Sequence, residues 1–316
     1  MIFITGGTGF IGSYIIKQLV QSGRQVMALR RSARLPAHID AAVWEKVQWV
    51  DADVLDVVAM ADALQQCQTV IHAAAVVSFH KKDAARMFQV NVEGTANVVN
   101  AALESGTVQR IVHVSSVAAL GRTKEGVEKH ENAEWKDNLN NTAYARSKHA
   151  AELEVWRGIA EGLEGVIINP STVLGFGNWH QSSCAIFKNV YKEFPWYTQG
   201  VNGFAGVEDV AAAAIALLDS PLTGERFIVN AENRSFKWVF DEIAHGFGKK
   251  PPHKKATPFM GEVAWRLEAW KHFLGGPAPL LTAETAKVAQ SKTTFNNQKL
   301  LQALPHFTYT PLTTVI

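Results

Sequence analysis

The sequence predicts an α/β fold built on a doubly wound parallel sheet. Short apolar segments alternate along the first half of the chain with longer amphipathic segments of helical periodicity. Such alternation, with short connections, indicates parallel strands covered by helices on both faces. Right-handed crossovers then make a doubly wound sheet the natural topology, in which ligands bind at the carboxyl ends of the strands.

The individual elements follow from the spacing of the apolar residues. Short apolar runs bounded by turn residues predict buried strands, here at 2–5, 25–29, 47–50, 70–72, 111–115, 166–169 and 227–230. Segments with apolar residues at helical spacing predict helices at 11–22, 57–66, 83–105, 144–162, 207–218 and 236–247. From residue 258 the pattern is helical again and is broken at 275–277.

The composition is that of an ordinary globular protein. Of its 316 residues, 47% are hydrophobic and 19% charged, and the formal net charge is +2, which excludes disorder and disfavours a nucleic-acid binder. The two cysteines, Cys67 and Cys184, have no partners at metal spacing, so neither a disulfide framework nor a metal site is expected. Without a signal peptide or a long apolar window, we expect a cytoplasmic protein with no membrane partner.

A glycine-rich turn follows the first predicted strand and opens the first helix. Glycines permit a tight turn, close approach of the backbone to a pyrophosphate and close helix–strand packing, while the helix N-terminus attracts phosphate. In isolation this glycine pattern is weak evidence for dinucleotide binding, but between a strand and an amphipathic helix it is strong evidence. It predicts a Rossmann-type dinucleotide-binding domain whose turn residues contact the cofactor: Gly6, Thr8, Gly9, Phe10, Ile11 and Gly12.

The end of the second strand bears on the choice of cofactor. An NAD-binding domain of this type places a carboxylate there to accept the ribose 2′-hydroxyl. This chain instead has Arg30 and Arg31, whose guanidinium groups suit a 2′-phosphate. NADP(H) is therefore the preferred cofactor and NAD(H) the alternative, unless these arginines only form a solvated surface turn.

A tyrosine, a lysine and two serines form the candidate catalytic group. Tyr144 and Lys148 are four residues apart on a predicted helix, which places them on one face. A neighbouring ammonium stabilises phenolate and would bring the pKa of Tyr144 towards neutrality. Ser115 and Ser116 follow the fifth predicted strand, where a hydroxyl can bind a substrate oxygen; a turn or helix cap is the alternative role.

Ordered motifs run through most of the chain: TGGTGFIG at 5–12, DAD at 51–53, HAAA at 72–75, NVEGT at 91–95, VSS at 114–116, YARSK at 144–148, NPSTVLG at 169–175 and GVEDVA at 206–211. Together they resemble the extended short-chain dehydrogenase/reductase family, also called the NAD(P)-dependent epimerase/dehydratase family, and in particular its dihydroflavonol-reductase-like branch.

The resemblance implies a role for each matching residue. Tyr144 is the acid/base, Lys148 binds the nicotinamide ribose, and Asn91 supports the site from a neighbouring helix. Ser116 rather than Ser115 is in the register of the family's catalytic hydroxyl, five residues before Gly121. The remaining cofactor contacts are implied at the adenine, the ribose wall and the nicotinamide: Asp53, Val54, Ala73, Ala74, Ala75, Pro170 and Val173.

The same resemblance divides the chain into two parts and implies a homodimer as a further expectation. Residues 1–170, with 207–230, form the dinucleotide-binding domain, and 171–206 with 231–316 form a smaller interleaved lobe for the substrate. The aromatic segment 187–197 is either lobe core or a wall of the substrate pocket.

Three functions remain open at this point. The first is NADP(H)-dependent reduction of a ketone or aldehyde of a small molecule, with hydroxysteroid-type chemistry as a variant. The second is a nucleoside-diphosphate-sugar epimerase or dehydratase, whose substrate diphosphate would need basic partners such as Arg226, Arg234 or Arg266. The third is a non-catalytic NADP-sensing protein, which the intact group of Ser116, Tyr144 and Lys148 disfavours.

Overall fold

The computed structural model describes residues 1–121, 126–136, 141–180, 182–273 and 283–316. The predicted break at 275–277 lies outside these ranges. Among the described residues the strands are β1 Ile2–Thr5, β2 Val26–Arg30, β3 Val47–Asp51, β4 Thr69–His72, β5 Arg110–Val114, β6 Glu164–Pro170, β7 Thr172–Leu174, β8 Trp196–Tyr197, β9 Val201–Gly206, β10 Glu225–Val229, β11 Glu232–Ser235 and β12 Lys254–Lys255.

The α-helices are α1 Phe10–Gln21, α2 Ala41–Trp44, α3 Val57–Leu64, α4 Ala84–Phe88, α5 Gly94–Ser105, α6 Ala143–Ala160, α7 Ala185–Tyr191, α8 Val207–Leu218, α9 Phe236–Gly246, α10 Pro258–Phe273, α11 Ala283–Gln290, α12 Gln298–Ala303 and α13 Leu312–Val315. Short 3₁₀ segments lie at Lys81–Asp83, Val117–Leu120 and Ser182–Cys184.

A seven-stranded sheet in the order β3-β2-β1-β4-β5-β6-β10 forms the centre of the fold. Every neighbouring pair in it is parallel. The chain starts in the middle of this sheet, runs outward to β3, and then returns to build the other half. The predicted doubly wound parallel sheet is therefore confirmed, and its order reverses beside β1, where such sheets bind their ligands.

Side chains alternate between two hydrophobic layers, one on each face of the sheet. Along β1, Ile2 and Ile4 belong to a cluster that includes apolar residues of α1 and α8. Phe3 points the other way, into a cluster with residues of α3, α5 and α6. The period of two along the strand and the apolar faces of the helices explain why both faces are covered.

The predicted helix 83–105 contains a distortion that periodicity did not predict. Between α4 and α5, Gln89–Glu93 form a five-residue π-helical turn. A π turn adds one residue to the helical repeat and so changes which side chains face inward. Asn91 lies in this turn and is buried at 1% exposure.

A three-stranded sheet in the order β11-β9-β7 packs beside the main sheet, with a separate apolar cluster that includes residues of α7 and α9. Phe187 of α7 is buried in that cluster, whereas Tyr191 and Phe194 are exposed. The aromatic segment therefore supplies some lobe core but is not all core. The assignment of 171–206 and 231–316 to substrate binding stays a prediction.

Candidate active site

The glycine-rich turn connects β1 to α1 and has the backbone geometry that glycine permits. Gly6 has φ +69°, and a Cβ atom there would lie 2.6 Å from the backbone of Ala73 and Ala74. The amide of Gly9 donates to the Gly6 carbonyl at 2.8 Å, which closes the turn. A Cβ at Gly12 would collide with the Gly6 carbonyl oxygen. Only a chain without these side chains can make this turn.

The start of α1 is open to an anion. Gly9 is its N-cap and provides no side-chain cap. Thr8 and Gly9 form the approach, and Phe10, Ile11 and Gly12 form the first residues of the helix. Uncapped amides at a helix N-terminus bind phosphate oxygens. The turn and the helix start therefore present backbone amides without side-chain caps, and their predicted contact with a pyrophosphate stays a prediction.

The segment after β4 lies against this turn. The Ala73 amide donates to the Thr5 carbonyl at 3.2 Å, and the Ala74 amide donates to the Thr5 hydroxyl at the same distance. Ala75 follows and is exposed. Residues 73 and 74 thus lie against the glycine turn, and the implied place of residues 73–75 near the nicotinamide ribose stays a prediction.

Arg30 and Arg31, at the end of β2, both face carboxylates. Arg30 makes a two-point contact with Asp51, from Nε at 2.6 Å and from Nη2 at 3.2 Å. This guanidinium lowers the pKa of the Asp51 carboxyl. Arg31 lies 3.8 Å from an Asp53 carboxylate oxygen. The end of β2 therefore carries exposed ion pairs rather than isolated cations, a feature that reading β2 alone does not reveal.

The residues implied at the two ends of the dinucleotide lie after β3 and at or after the end of β6, and their contacts with the cofactor stay a prediction. Asp53 accepts the amide of Leu55 at 3.2 Å, and Val54 is buried. Pro170 ends β6, and Val173 is buried in β7.

Tyr144 and Ser116 form the reactive centre of the candidate site. Tyr144 is the second residue of α6, and Ser116 follows β5 at the start of a 3₁₀ turn, where it accepts the Ala118 amide at 3.2 Å. Burial raises the pKa of Tyr144, and its hydrogen bond with the Ser116 side chain acts in the opposite direction. Ser115 is buried, and its hydroxyl has no partner among the described residues. Ser116, not Ser115, is the serine that meets Tyr144.

Lys148 lies one turn further along α6 and is only 1% exposed. Its Nζ donates to the Val114 carbonyl at 2.9 Å. Burial lowers the pKa of Lys148 to about 8, and the Glu152 carboxylate opposes this shift. The sequence predicted that Lys148 would lower the pKa of Tyr144. The pKa of Tyr144 is instead raised, because burial is the largest influence on it.

Asn91 acts as a clamp beside this centre. Its Oδ1 accepts the Val76 amide at 2.7 Å, and its Nδ2 donates to the Val76 carbonyl and to the Ser147 hydroxyl, both at 3.0 Å. It therefore joins the segment after β4 to the catalytic helix. The supporting role that the resemblance implied for Asn91 stays a prediction.

Two features of the site escaped the sequence reading. The ring of Phe79 meets the ring of Tyr144 edge-on, with centroids 5.9 Å apart. The buried Glu152 on α6 accepts from Asn169 at 2.6 Å and from Arg226 at 3.2 Å. Phe79 and Tyr144 are 65 positions apart in sequence, and the contacts of Glu152 join α6 to β6 and β10. Neither set of contacts therefore produces a local sequence pattern.

The arginines considered for a substrate diphosphate already have partners. Arg226 contacts Glu152 and two backbone carbonyls. Arg234 pairs with Glu232 and stacks over Trp238, and Arg266 pairs with Glu262 one turn earlier on α10. Within the described ranges, no group of metal-ligating side chains comes together and no helix is long and apolar enough to cross a membrane.

The fold and the glycine turn define a dinucleotide-dependent enzyme of the short-chain dehydrogenase/reductase type. The family model described as the NAD dependent epimerase/dehydratase family matches residues 2–230. The chain belongs to this family, whose members are NAD(P)-dependent oxidoreductases and epimerases.

Several relatives are reductases. A Synechocystis protein whose name provisionally assigns it to dihydroflavonol 4-reductase is 29% identical over 310 residues, covering 96% of this chain and 88% of the relative. Cinnamoyl-CoA reductase 1 of Petunia hybrida is 30% identical over 243 residues, covering 72% of each chain. The crystal structure of gox2253 superposes with a TM-score of 0.82 at 28% identity, over 100% of this chain and 95% of the other.

Proposed function

We propose that the protein is an NADP(H)-dependent oxidoreductase that reduces a ketone or aldehyde of a small organic substrate. The observation that carries the proposal is the placement of Tyr144 one turn of α6 from the buried Lys148, with the Ser116 side chain acting on the Tyr144 hydroxyl. Ser116 orients a carbonyl oxygen, and the Tyr144 hydroxyl donates a proton to that oxygen as it becomes an alkoxide. The nicotinamide, when bound, supplies the hydride.

Arg30 and Arg31 support the preference for NADP(H). The pair between Arg30 and Asp51 is exposed on the carboxylate side, and water and salt screen the attraction within a pair of that kind. A 2′-phosphate offers the guanidinium a stronger, doubly charged partner. We therefore infer that the Arg30 guanidinium turns from Asp51 to the phosphate when the cofactor binds.

A sugar-nucleotide epimerase or dehydratase is the second candidate, favoured by the description of the family. Such an enzyme needs cationic groups that reach the substrate diphosphate. Arg226, Arg234 and Arg266 are each held by a carboxylate of this chain. The reductase relatives, together with the buried carboxylate that holds Arg226, favour carbonyl reduction.

The nucleotide carried by the purified protein separates the two candidates. An epimerase regenerates its cofactor within each cycle and can retain it, whereas a reductase must exchange it at every turnover. Denaturation followed by mass spectrometry should release little nucleotide, and the emptied protein should bind NADPH more tightly than NADH in a fluorescence titration. Near-stoichiometric release of NAD would overturn the reductase proposal and promote the epimerase.

Substrate class is then tested by following NADPH oxidation with a panel of ketones and aldehydes. The matched control is Tyr144→Phe, which keeps the ring and its contact with Phe79 but removes the proton donor. Turnover that persists in Tyr144→Phe would contradict the assigned role of Tyr144.

A further inference from the structure

A buried carboxylate lies on the catalytic helix next to Lys148. Glu152 is one turn after Lys148 on α6, and its side chain is 1% exposed. A carboxylate removed from water is strongly destabilising unless it is paired and hydrogen-bonded. Both oxygens of Glu152 meet this requirement. Oε1 accepts from Asn169 Nδ2 at 2.6 Å, and Oε2 accepts from Arg226 Nη1 at 3.2 Å.

Asn169 carries the contact onward to the serine. Its Nδ2 also donates to the backbone carbonyl of Ser116 at 2.9 Å. Asn169 is fully buried, and its Oδ1 has no hydrogen-bond partner among the described residues, so Nδ2 makes its side-chain hydrogen bonds. Glu152 thereby fixes the amide group that holds the backbone from which the Ser116 hydroxyl projects.

Arg226 links the Glu152 carboxylate to strand β10 and to residues 131–133. Its Nε donates to the Glu131 carbonyl at 2.7 Å and its Nη2 to the Ala133 carbonyl at 3.2 Å. Arg226 itself belongs to β10, at the edge of the main sheet. The carboxylate of Glu152 is therefore a junction between α6, β6, β10 and residues 131–133.

The charge of Glu152 acts on Lys148. The ammonium also interacts with His72 of β4 and His113 of β5. Both imidazoles are neutral, because burial lowers their pKa values. Tyr144 shares α6 with Lys148 and is neutral because its pKa is raised. Glu152 is the group that raises the pKa of Lys148 against the effect of burial.

We propose that Glu152 is a positioning residue of the active site. Its carboxylate fixes the Ser116 backbone through Asn169, and it lies one turn of α6 from the Lys148 ammonium, on which its charge acts. The catalytic consequence rests on the proposed function, but the effect on Lys148 does not depend on any substrate.

The electrostatic half is tested in the substrate-free protein. Carbon-13 labelled lysine allows Lys148 to be titrated by NMR, with its signal assigned from Lys148→Met. We expect a midpoint near pH 8 in the wild type and a lower midpoint in Glu152→Gln, which keeps the shape and removes the charge. The control is Glu154→Gln, which removes a carboxylate of the same helix that pairs with Arg157 at 3.0 Å. An unchanged midpoint in Glu152→Gln would overturn the proposal.

A second variant guards against misfolding, because Glu152→Gln leaves the Arg226 guanidinium without its counter-ion. Breaking one side of a buried ion pair is strongly destabilising, whereas replacing both members is often neutral. Glu152→Gln combined with Arg226→Met removes both charges. The double variant should fold and keep the lowered Lys148 midpoint, and a midpoint at the wild-type value would contradict the assignment to Glu152.

The positioning half is tested on turnover of a carbonyl compound from the panel. Misplacing Ser116 should lower kcat in Asn169→Ala on the order of tenfold to a hundredfold with little change in KM or in the Lys148 midpoint. Glu152→Gln should lower kcat and also move the alkaline limb of the pH profile to lower pH. An unaltered kcat in Asn169→Ala would overturn the positioning role. If no carbonyl compound is turned over, the proposed function fails while the NMR titration still decides the charge effect.

Discussion

Replacing Gly6 by alanine should disable the cofactor turn, and Gly23 offers a matched control. Both glycines have left-handed backbone conformations, with φ +69° and +76°. An added Cβ at Gly6 would lie 2.6 Å from the backbone of Ala73 and Ala74, whereas at Gly23 it would meet nothing within 4 Å. The two substitutions therefore share the conformational penalty and differ in the collision.

The magnitudes follow from these two terms. A non-glycine residue in the left-handed region costs roughly 1–2 kcal/mol, which is the full effect expected for Gly23→Ala. Overpacking adds typically 1–3 kcal/mol, and backbone atoms cannot rotate away as a side chain could. The sum predicts a loss of about 2–5 kcal/mol in the free energy of unfolding for Gly6→Ala.

Urea denaturation in the absence of nucleotide gives both values, and fluorescence titration with NADPH gives the functional effect. Gly23→Ala should bind NADPH as the wild type does, because Gly23 lies beyond the far end of α1 from the turn. Gly6→Ala should bind it much more weakly, since the turn must open to relieve the collision. Equal destabilisation of the two variants, or unimpaired NADPH binding by Gly6→Ala, would refute the close-approach explanation.

Three further predictions concern chemistry, cofactor choice and pH. Tyr144→Phe should abolish carbonyl reduction while leaving the dissociation constant for NADPH unchanged, as measured by parallel rate and binding assays. Asp51→Asn should tighten NADPH binding by up to about fivefold without affecting NADH, because it frees Arg30 from an exposed ion pair; Arg30→Ala should weaken NADPH alone. Burial lowers the pKa of His72 to about 3 and also lowers that of His113, so the unfolded state binds more protons below about pH 6.5 and stability must fall there. From pH 7.5 to 5.5 each buried neutral histidine lowers the free energy of unfolding by about 1.4 kcal/mol. Urea denaturation at the two pH values should show that His113→Leu removes the contribution of that histidine.

The strands were predictable because burial on both faces leaves a local mark. The sequence places β1 and α8 at the residues where the structure has them, and the other main-sheet strands within two residues. Both elements are short, uninterrupted apolar or amphipathic runs with clear boundaries. The segment 83–105 shows the limit: its apolar spacing predicted one regular helix, and only the contacts of Asn91 with Val76 and Ser147 reveal why a π turn is favoured there.

The candidate site was predictable where its residues are close in sequence. Tyr144 and Lys148 share a helix face, and the glycine turn is continuous. Ser116 was predicted from its motif, but the Phe79 ring beside Tyr144 and the Val114 carbonyl that accepts from Lys148 were not, because they come from distant parts of the chain. Arg226 shows the same limit: nothing near it in sequence indicates that Glu152 of α6 lies beside it.

The Asn91 clamp also provides the site with an internal reporter. The Val76 amide is bonded to a side chain rather than to a neighbouring strand, so its protection from hydrogen exchange depends on that one contact. Exchange at this amide measures local opening between the segment after β4 and α6, separately from global unfolding. A bound dinucleotide that bridges the two should slow this single amide, and so a spectrum of the resting protein can show when the site is assembled.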